Sequence, residues 1–313
     1  MAIYTGSNKH LGGTEDVNQK QTFYYGLVQK HVLVTGAKGQ LGQALAAFVK
    51  GRNLPFRFYF ADSQELDITH REAVMEYVAH REIDFIINAA AYTAVDRAEE
   101  ERELAYAVNE QGAAHLAQAA AEVGAKLIHI STDYVFDGKD ERPYLETDEV
   151  APMSVYGSSK LKGEEAVQRY AHEWAIVRTA WLFAEYGNNF VKTMIRLMSE
   201  REVLTVVDDQ RGTPTYAVDL AEMLVEMMDA AEWKSGVYHF TNGGETTWFG
   251  FARQIQELKG LHDCEVKPIS SAEYPTAAMR PAYSVLDTGR IESDFGVVIP
   301  QWEDALERCL KNL

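Results

Sequence analysis

The stretch SVYGSSK, Ser154 to Lys160, holds a phenol and an ammonium four residues apart, Tyr156 and Lys160, ahead of the helix-forming run LKGEEAVQRY. That spacing puts both on one helical face. An ammonium beside a phenol favours the phenolate, so the pair is expected to lower the tyrosine pKa from about 10 toward neutrality and make the hydroxyl a competent proton donor and acceptor. Tyrosine and lysine are common on helices, and most such matches are structural. The setting distinguishes this one: HISTDYVF supplies hydroxyls at Ser131 and Thr132 from a strand end, and a glycine-rich turn lies upstream.

In that turn, TGAKGQLG, Gly36, Gly39 and Gly42 fall between a strand and a helix. Glycines there let the backbone approach a pyrophosphate, and the helix N-terminus behind them offers unpaired N–H groups. Asp62 closes the next strand 20 residues after Gly42, where an acid binds adenosine ribose hydroxyls or else caps a turn. Asp67 in LDIT suits an adenine amino group, while Thr69 suits the N-cap of the following helix. The strand end NAAAYT places Ala89, Ala90 and Ala91 where small side chains leave room for a flat ligand or for tight packing.

The elements that must position these residues alternate. HVLVTG, RFYFAD, DFIINAAA, KLIHIST and WAIVRTAWLF read as apolar strands, and GQLGQALAAFVKG, THREAVMEYVAHR, ELAYAVNEQGAAHLAQAAAEVG and Tyr156 to Tyr170 as helices. This is an α/β chain: a Rossmann-type doubly wound parallel sheet with right-handed crossovers, covered on both faces. After about residue 185 the alternation loosens into amphipathic helices and the short strand VYHF, a smaller C-terminal α/β substrate-binding lobe. The expected boundaries are an extension outside the fold over 1–29, a dinucleotide-binding domain over 30–184, and over 185–313 mainly the substrate lobe, with some elements returning to the first sheet.

With 313 residues, 46% of them hydrophobic, the chain can bury one large core or one core with a smaller lobe. No run reaches the roughly 18 to 20 apolar residues of a membrane span, and no signal-peptide pattern opens the chain, so a cytoplasmic location is expected. The net charge of −17 disfavours nucleic acid and anionic membranes as partners. An anionic small ligand then needs local donors, and Asn189, Lys192, Gln210, Arg211 and Arg280 are candidates that otherwise read as solvated groups. Arg280, in a non-helical segment before Pro281, has no helical partner by spacing and suits a diphosphate. Cys264 and Cys309 lie outside any metal-ligand spacing, and no metal site is expected.

Taken together, the glycine loop, NAAAYTAVDRAE, ISTDYVFDG, YGSSKLKGE, RTAWLF, GNNFVKTMIRL, DDQRGTPT and SAEYPTAAMRPAYSVLDT resemble the extended short-chain dehydrogenases/reductases, and among them the dTDP-4-dehydrorhamnose reductase family. The resemblance implies a catalytic triad of Thr132, Tyr156 and Lys160. Tyr156 would protonate the C4 oxygen of a keto sugar as hydride arrives, Lys160 would hold the nicotinamide ribose, and Thr132 would hydrogen-bond the sugar. It further implies NADPH or NADH bound by Gly39, Gln40, Leu41, Asp62, Asp67, Ile68, Ala91 and Thr93, and a nucleotide sugar contacted by Asp133 and Trp181, the latter also readable as a core aromatic. Many family members carry a glutamate two residues after the last loop glycine, part of a dimer-bridging magnesium site in some; here Ala44 stands there, and a monomer or an unbridged homodimer is expected. A non-catalytic cofactor-binding subunit like the β subunit of methionine adenosyltransferase, or a sugar-nucleotide epimerase or dehydratase, is the alternative. As to cofactor preference, Asp62 repels a 2′-phosphate, while Lys38 or Arg57 would offset that repulsion.

Overall fold

A computed structural model describes residues 29–313. The extension expected over 1–29 lies, but for its last residue, outside them. From the amino end run β1 (Lys30–Thr35), α1 (Gln40–Val49), β2 (Phe56–Ala61), α2 (Arg71–His80), β3 (Phe85–Asn88) and α3 (Val95–Ala98). Next come α4 (Arg102–Tyr106), a π turn (Ala107–Gly112), α5 (Ala113–Val123), β4 (Lys126–Thr132), α6 (Val155–Tyr170) and β5 (Glu173–Thr179). The strand β1 shows why these runs become buried strands. Val32 and Val34 face one side of the sheet and Leu33 the other, all three fully buried, so alternation places apolar groups in two cores. Each such side chain contributes about 1.5–3 kcal/mol relative to exposure.

The chain continues with β6 (Leu182–Phe183), α7 (Phe190–Glu200), β7 (Val203–Val207), β8 (Arg211–Gly212), β9 (Thr215–Tyr216) and α8 (Ala217–Asp229). It ends with β10 (Gly236–His239), β11 (Thr246–Thr247), α9 (Trp248–Lys259), β12 (Glu265–Ile269), α10 (Gly289–Phe295) and α11 (Trp302–Leu310). The main sheet is parallel, in the order β2-β1-β3-β4-β5-β10. Its strand order reverses between β1 and β3, and ligands of such sheets bind in the crevice at the carboxyl ends there. The cluster that covers one face joins α8 and Ile291 of α10 to α1, and β10 pairs with β5, so three elements beyond residue 185 return to the main sheet. The other late elements gather around an aromatic core of Phe183, Tyr216, Phe251 and Trp302.

Two departures from the sequence expectation have local causes. The long helix after β3 is interrupted by the π turn, which contains Asn109 and Gly112, both poor helix formers. Gly112 lies against Ile68, whose Cδ1 would be 2.5 Å from any Cβ at that position. The strands β7 and β12 pair in parallel, and neither run stood out in the sequence. In the helix α1, Ala44 is fully buried in the core. Among the described residues no helix is long and apolar enough to cross a membrane.

Candidate active site

Gly36 follows β1 with φ +71°, and a Cβ there would sit 2.6 Å from the carbonyl oxygen of Ala89 at the end of β3. Gly42 is equally closed, since a Cβ would meet the Gly36 carbonyl at 2.5 Å. The first contact brings the turn against the switch point, the second closes the turn on itself, and both allow only glycine. Gly39 is the N-cap of α1 and has no side chain to cap it, so among the described residues the first-turn N–H groups at Gln40 and Leu41 receive no N-cap bond. This geometry fits a pyrophosphate. Leu41 is buried, which leaves its backbone as the available contact. The Gln40 side chain turns away to Leu182 and accepts 2.9 Å from Asn189.

At the end of β2, Asp62 accepts the Gln64 N–H at 2.7 Å and pairs through its other oxygen with Lys38. The Lys38 bond, followed by the backbone N–H of Gln64, holds its carboxyl below the usual range. Lys38 is therefore the cation beside this acid. Arg57 lies opposite His31 near the amino end of β2, whereas Ala61 pairs with Thr35 at the carboxyl end, so Arg57 stands at the wrong edge of the sheet to offset a phosphate. The Asp67 oxygens accept from Thr69 and pair with His70, and α2 starts at Arg71 with His70 as an uncapped N-cap. Thr69 thus serves Asp67 and does not cap the helix. Ile68 is buried and its carbonyl bonds to His115, Ala89 to Ala91 are partly exposed along the crevice, and Thr93 is exposed.

Thr132 ends β4, and Tyr156 and Lys160 lie on α6, whose N-cap Ser154 accepts the Gly157 N–H at 3.1 Å. Gly157 sets the helix against the strand end, because a Cβ there would be 2.2 Å from the Tyr134 carbonyl. The Tyr134 ring meets Tyr156 edge to face at 5.4 Å. Lys160 is fully enclosed, and its ammonium donates to the Ile130 carbonyl at 2.6 Å. Two of its three donors are left for other acceptors. Burial lowers the Lys160 pKa to about 8. The expected fall in the Tyr156 pKa is overturned: burial pushes it up to about 12, against the pull of the Thr132 hydroxyl. Desolvation, reinforced by the Asp133 carboxylate, outweighs the Thr132 bond, and the Lys160 ammonium spends a hydrogen bond on the Ile130 carbonyl. The phenol therefore stays protonated at neutral pH, the state a proton donor requires.

Asp133 is buried with one oxygen accepting from Thr132 at 2.9 Å and the other without a partner among the described residues. Burial raises its pKa to about 6 against the neighbouring Ser284 and Thr132 hydroxyls. Ser131 is committed elsewhere: its hydroxyl donates at 2.5 Å to Glu164, which also takes two bonds from Arg178 at 2.9 and 2.7 Å. Trp181 lies two residues past Thr179, the partner of Thr132 in register, so it borders the same edge. Arg280 does have a partner, Asp96, through bonds of 3.2 and 2.7 Å, and its charge acts on Tyr134. Asn189 caps α7 and clamps Gln40, Lys192 donates to the Glu185 carbonyl, and Gln210 donates to Ser271, so these three side chains tie the lobe together.

Asn109, Glu164 and Arg178 escaped the sequence reading. Asn109 takes the Tyr92 N–H at 2.9 Å and donates 2.9 Å to Ser159, joining the NAAAYT loop to the helix of Tyr156. A polar residue within an apolar helical run was its one visible signal.

A family model described as RmlD substrate binding domain matches residues 30–313. The dTDP-4-dehydrorhamnose reductase of Aggregatibacter actinomycetemcomitans is 43% identical over 291 residues, covering 90% of this chain and 97% of that protein. That of Escherichia coli K12 is 41% identical over 293 residues, 90% and 98% of the two chains. A solved dTDP-4-dehydrorhamnose reductase of Bacillus anthracis, in complex with NADP, superposes with a TM-score of 0.87 at 42% identity over 91% of this chain and 100% of that one. A dTDP-glucose 4,6-dehydratase of Streptomyces venezuelae reaches 0.74 at 19% identity, over 90% and 96% of the chains, a likeness of fold. Matched over its whole described length and by relatives that it covers almost end to end, the chain belongs to the RmlD family of dTDP-4-dehydrorhamnose reductases.

Proposed function

We propose that this protein reduces the C4 keto group of dTDP-4-dehydro-L-rhamnose to give dTDP-L-rhamnose, with NADPH or NADH as cofactor. The observation that carries the reading is the meeting of Thr132, Tyr156 and Lys160 at the sheet edge beside the glycine cradle, in a chain of this family. Residues 30–184 act mainly as the cofactor half and 185–313 mainly as the substrate half. When bound, the reduced nicotinamide supplies the hydride. Gly36, Gly39 and Gly42, with the N–H groups of Gln40 and Leu41, hold the pyrophosphate; Asp62 holds the ribose; Asp67, Ile68, Ala89, Ala90, Ala91 and Thr93 line the remainder.

The Tyr156 phenol donates its proton to the C4 oxygen. An alkoxide is far more basic than a phenolate, so a tyrosine held near 12 still gives up its proton readily as charge develops. Thr132 hydrogen-bonds the same oxygen, and Lys160 supplies positive charge and donors to the ribose. Asp133 accepts a sugar hydroxyl through its second oxygen, and Trp181 and Arg280 border the sugar and its diphosphate. Freshly generated dTDP-4-dehydrorhamnose should oxidise NADPH or NADH in a spectrophotometric assay. Failure with both cofactors, under conditions in which they bind, would remove the reading.

Two further results are expected. The kcat/KM for reduction should rise as pH passes about 6, where Asp133 ionises, and fall above about 8, where Lys160 loses its charge. Asp133→Asn should remove the lower limb; a profile flat from pH about 5 to 9 would contradict both assignments. For the cofactor, the Lys38–Asp62 pair puts a cation beside the ribose acid, which supports acceptance of both forms. Asp62→Ser should weaken NADH and shift the affinity ratio toward NADPH by about tenfold, about 1.4 kcal/mol. An unchanged ratio in parallel titrations would show that Asp62 does not face the ribose.

A further inference from the structure

The Trp181 indole lies face to face with that of Trp248, the first residue of α9, with ring centroids 3.6 Å apart and planes 11° from parallel. Trp181 also carries φ +47°, a left-handed backbone that bulky residues rarely adopt. Such a conformation persists when its surroundings over-determine it, and it marks sites where a side chain must be aimed. Three surroundings are visible. The backbone beside the indole is Gly212, where a Cβ would fall 2.6 Å from Trp181 Cε2. The Trp181 carbonyl accepts the Thr215 N–H. The stacked Trp248 covers one face.

Trp248 is itself anchored. Thr247 caps α9 by accepting the Gly250 N–H at 2.9 Å and donates 2.6 Å to Asp208. Phe190, next to the Asn189 that clamps Gln40, also packs against Trp248, tilted by 50° with centroids 4.7 Å apart. Both indoles remain partly exposed, which leaves ring surface that a ligand can reach.

We infer that Trp248 is a positioning residue for the sugar-nucleotide pocket, holding the strained Trp181 indole as a flat wall beside Thr132. The inference rests on the reading of this edge as the nucleotide-sugar site. It places Trp248 outside direct contact with the reacting atoms and assigns its effect to substrate affinity.

Two stacked indoles couple their transitions, so wild-type protein should show an exciton couplet in circular dichroism. The couplet should disappear in Trp248→Ala and change when dTDP-L-rhamnose is added to wild type. In turnover, Trp248→Ala should raise the nucleotide-sugar KM about tenfold with a smaller effect on kcat and with NADPH affinity within about twofold. Trp248→Tyr, whose ring can still stack, should recover most of the KM and serves if the alanine variant does not fold. No couplet in wild type, a couplet indifferent to dTDP-L-rhamnose, a KM unchanged in Trp248→Ala, or a tyrosine variant as impaired as alanine would each overturn the inference. Absence of turnover in wild type would instead defeat the functional reading, and the response of the couplet to dTDP-L-rhamnose separates the two.

Discussion

Tyr156→Phe is expected to lose about 10²- to 10⁴-fold in kcat, the usual worth of a positioned general acid, while NADPH affinity stays near the wild-type value. The change deletes one hydroxyl and almost no volume. Its ring should keep the edge-to-face contact with Tyr134, so the helix and its Gly157 contact stay in place. Single-turnover measurements with cofactor and substrate pre-bound would isolate the chemical step. A phenylalanine variant within about tenfold of wild type, roughly 1.4 kcal/mol of barrier, would assign the proton to another donor.

Glu164→Ala should produce the largest loss of stability among the changes considered. The Glu164 and Arg178 side chains are 1% and 4% exposed and share two hydrogen bonds, and Glu164 also accepts from Ser131. Removing the carboxylate strands a buried guanidinium and a buried hydroxyl, which costs about 3–5 kcal/mol. That is a large part of the roughly 5–15 kcal/mol that holds a domain folded. The melting temperature should fall by on the order of 10 °C. Replacing both partners with apolar residues should restore much of the loss, since the expense lies in the unpaired charge. A single variant that loses less than about 1 kcal/mol in calorimetry would show that water reaches the pair.

What the sequence made legible has one physical origin: periodicity and close spacing are local. The alternating strand runs, the glycine cradle and the one-turn separation of Tyr156 and Lys160 are properties of short stretches, and each survives in the fold. Thr132 was legible as a strand-end hydroxyl, while its place in the triad and the role of Asp133 were reached through the family resemblance. Contacts that depend on crossovers were hidden. Lys160 meets Ile130 across 30 residues, Asn109 meets Ser159 across 50, and Arg280 meets Asp96 across 184. The direction of the Tyr156 shift was hidden for the same reason. Spacing reveals the ammonium, but the shift is set by burial of the phenol, which only the fold creates. Arg57 and Lys38 read as equal candidates until strand polarity placed one at each edge of the sheet.

The most direct measurement follows the hydride itself. Turnover of dTDP-4-dehydrorhamnose with NADPH deuterated at the transferring position of the nicotinamide should give dTDP-L-rhamnose carrying one deuterium at C4, seen by mass spectrometry and NMR, and Tyr156→Phe should bind both ligands yet form this product far more slowly. Product without deuterium, deuterium at another carbon, or cofactor and dTDP-L-rhamnose binding with no reduction at all would contradict the account, the last of these leaving a binding protein built on a reductase fold.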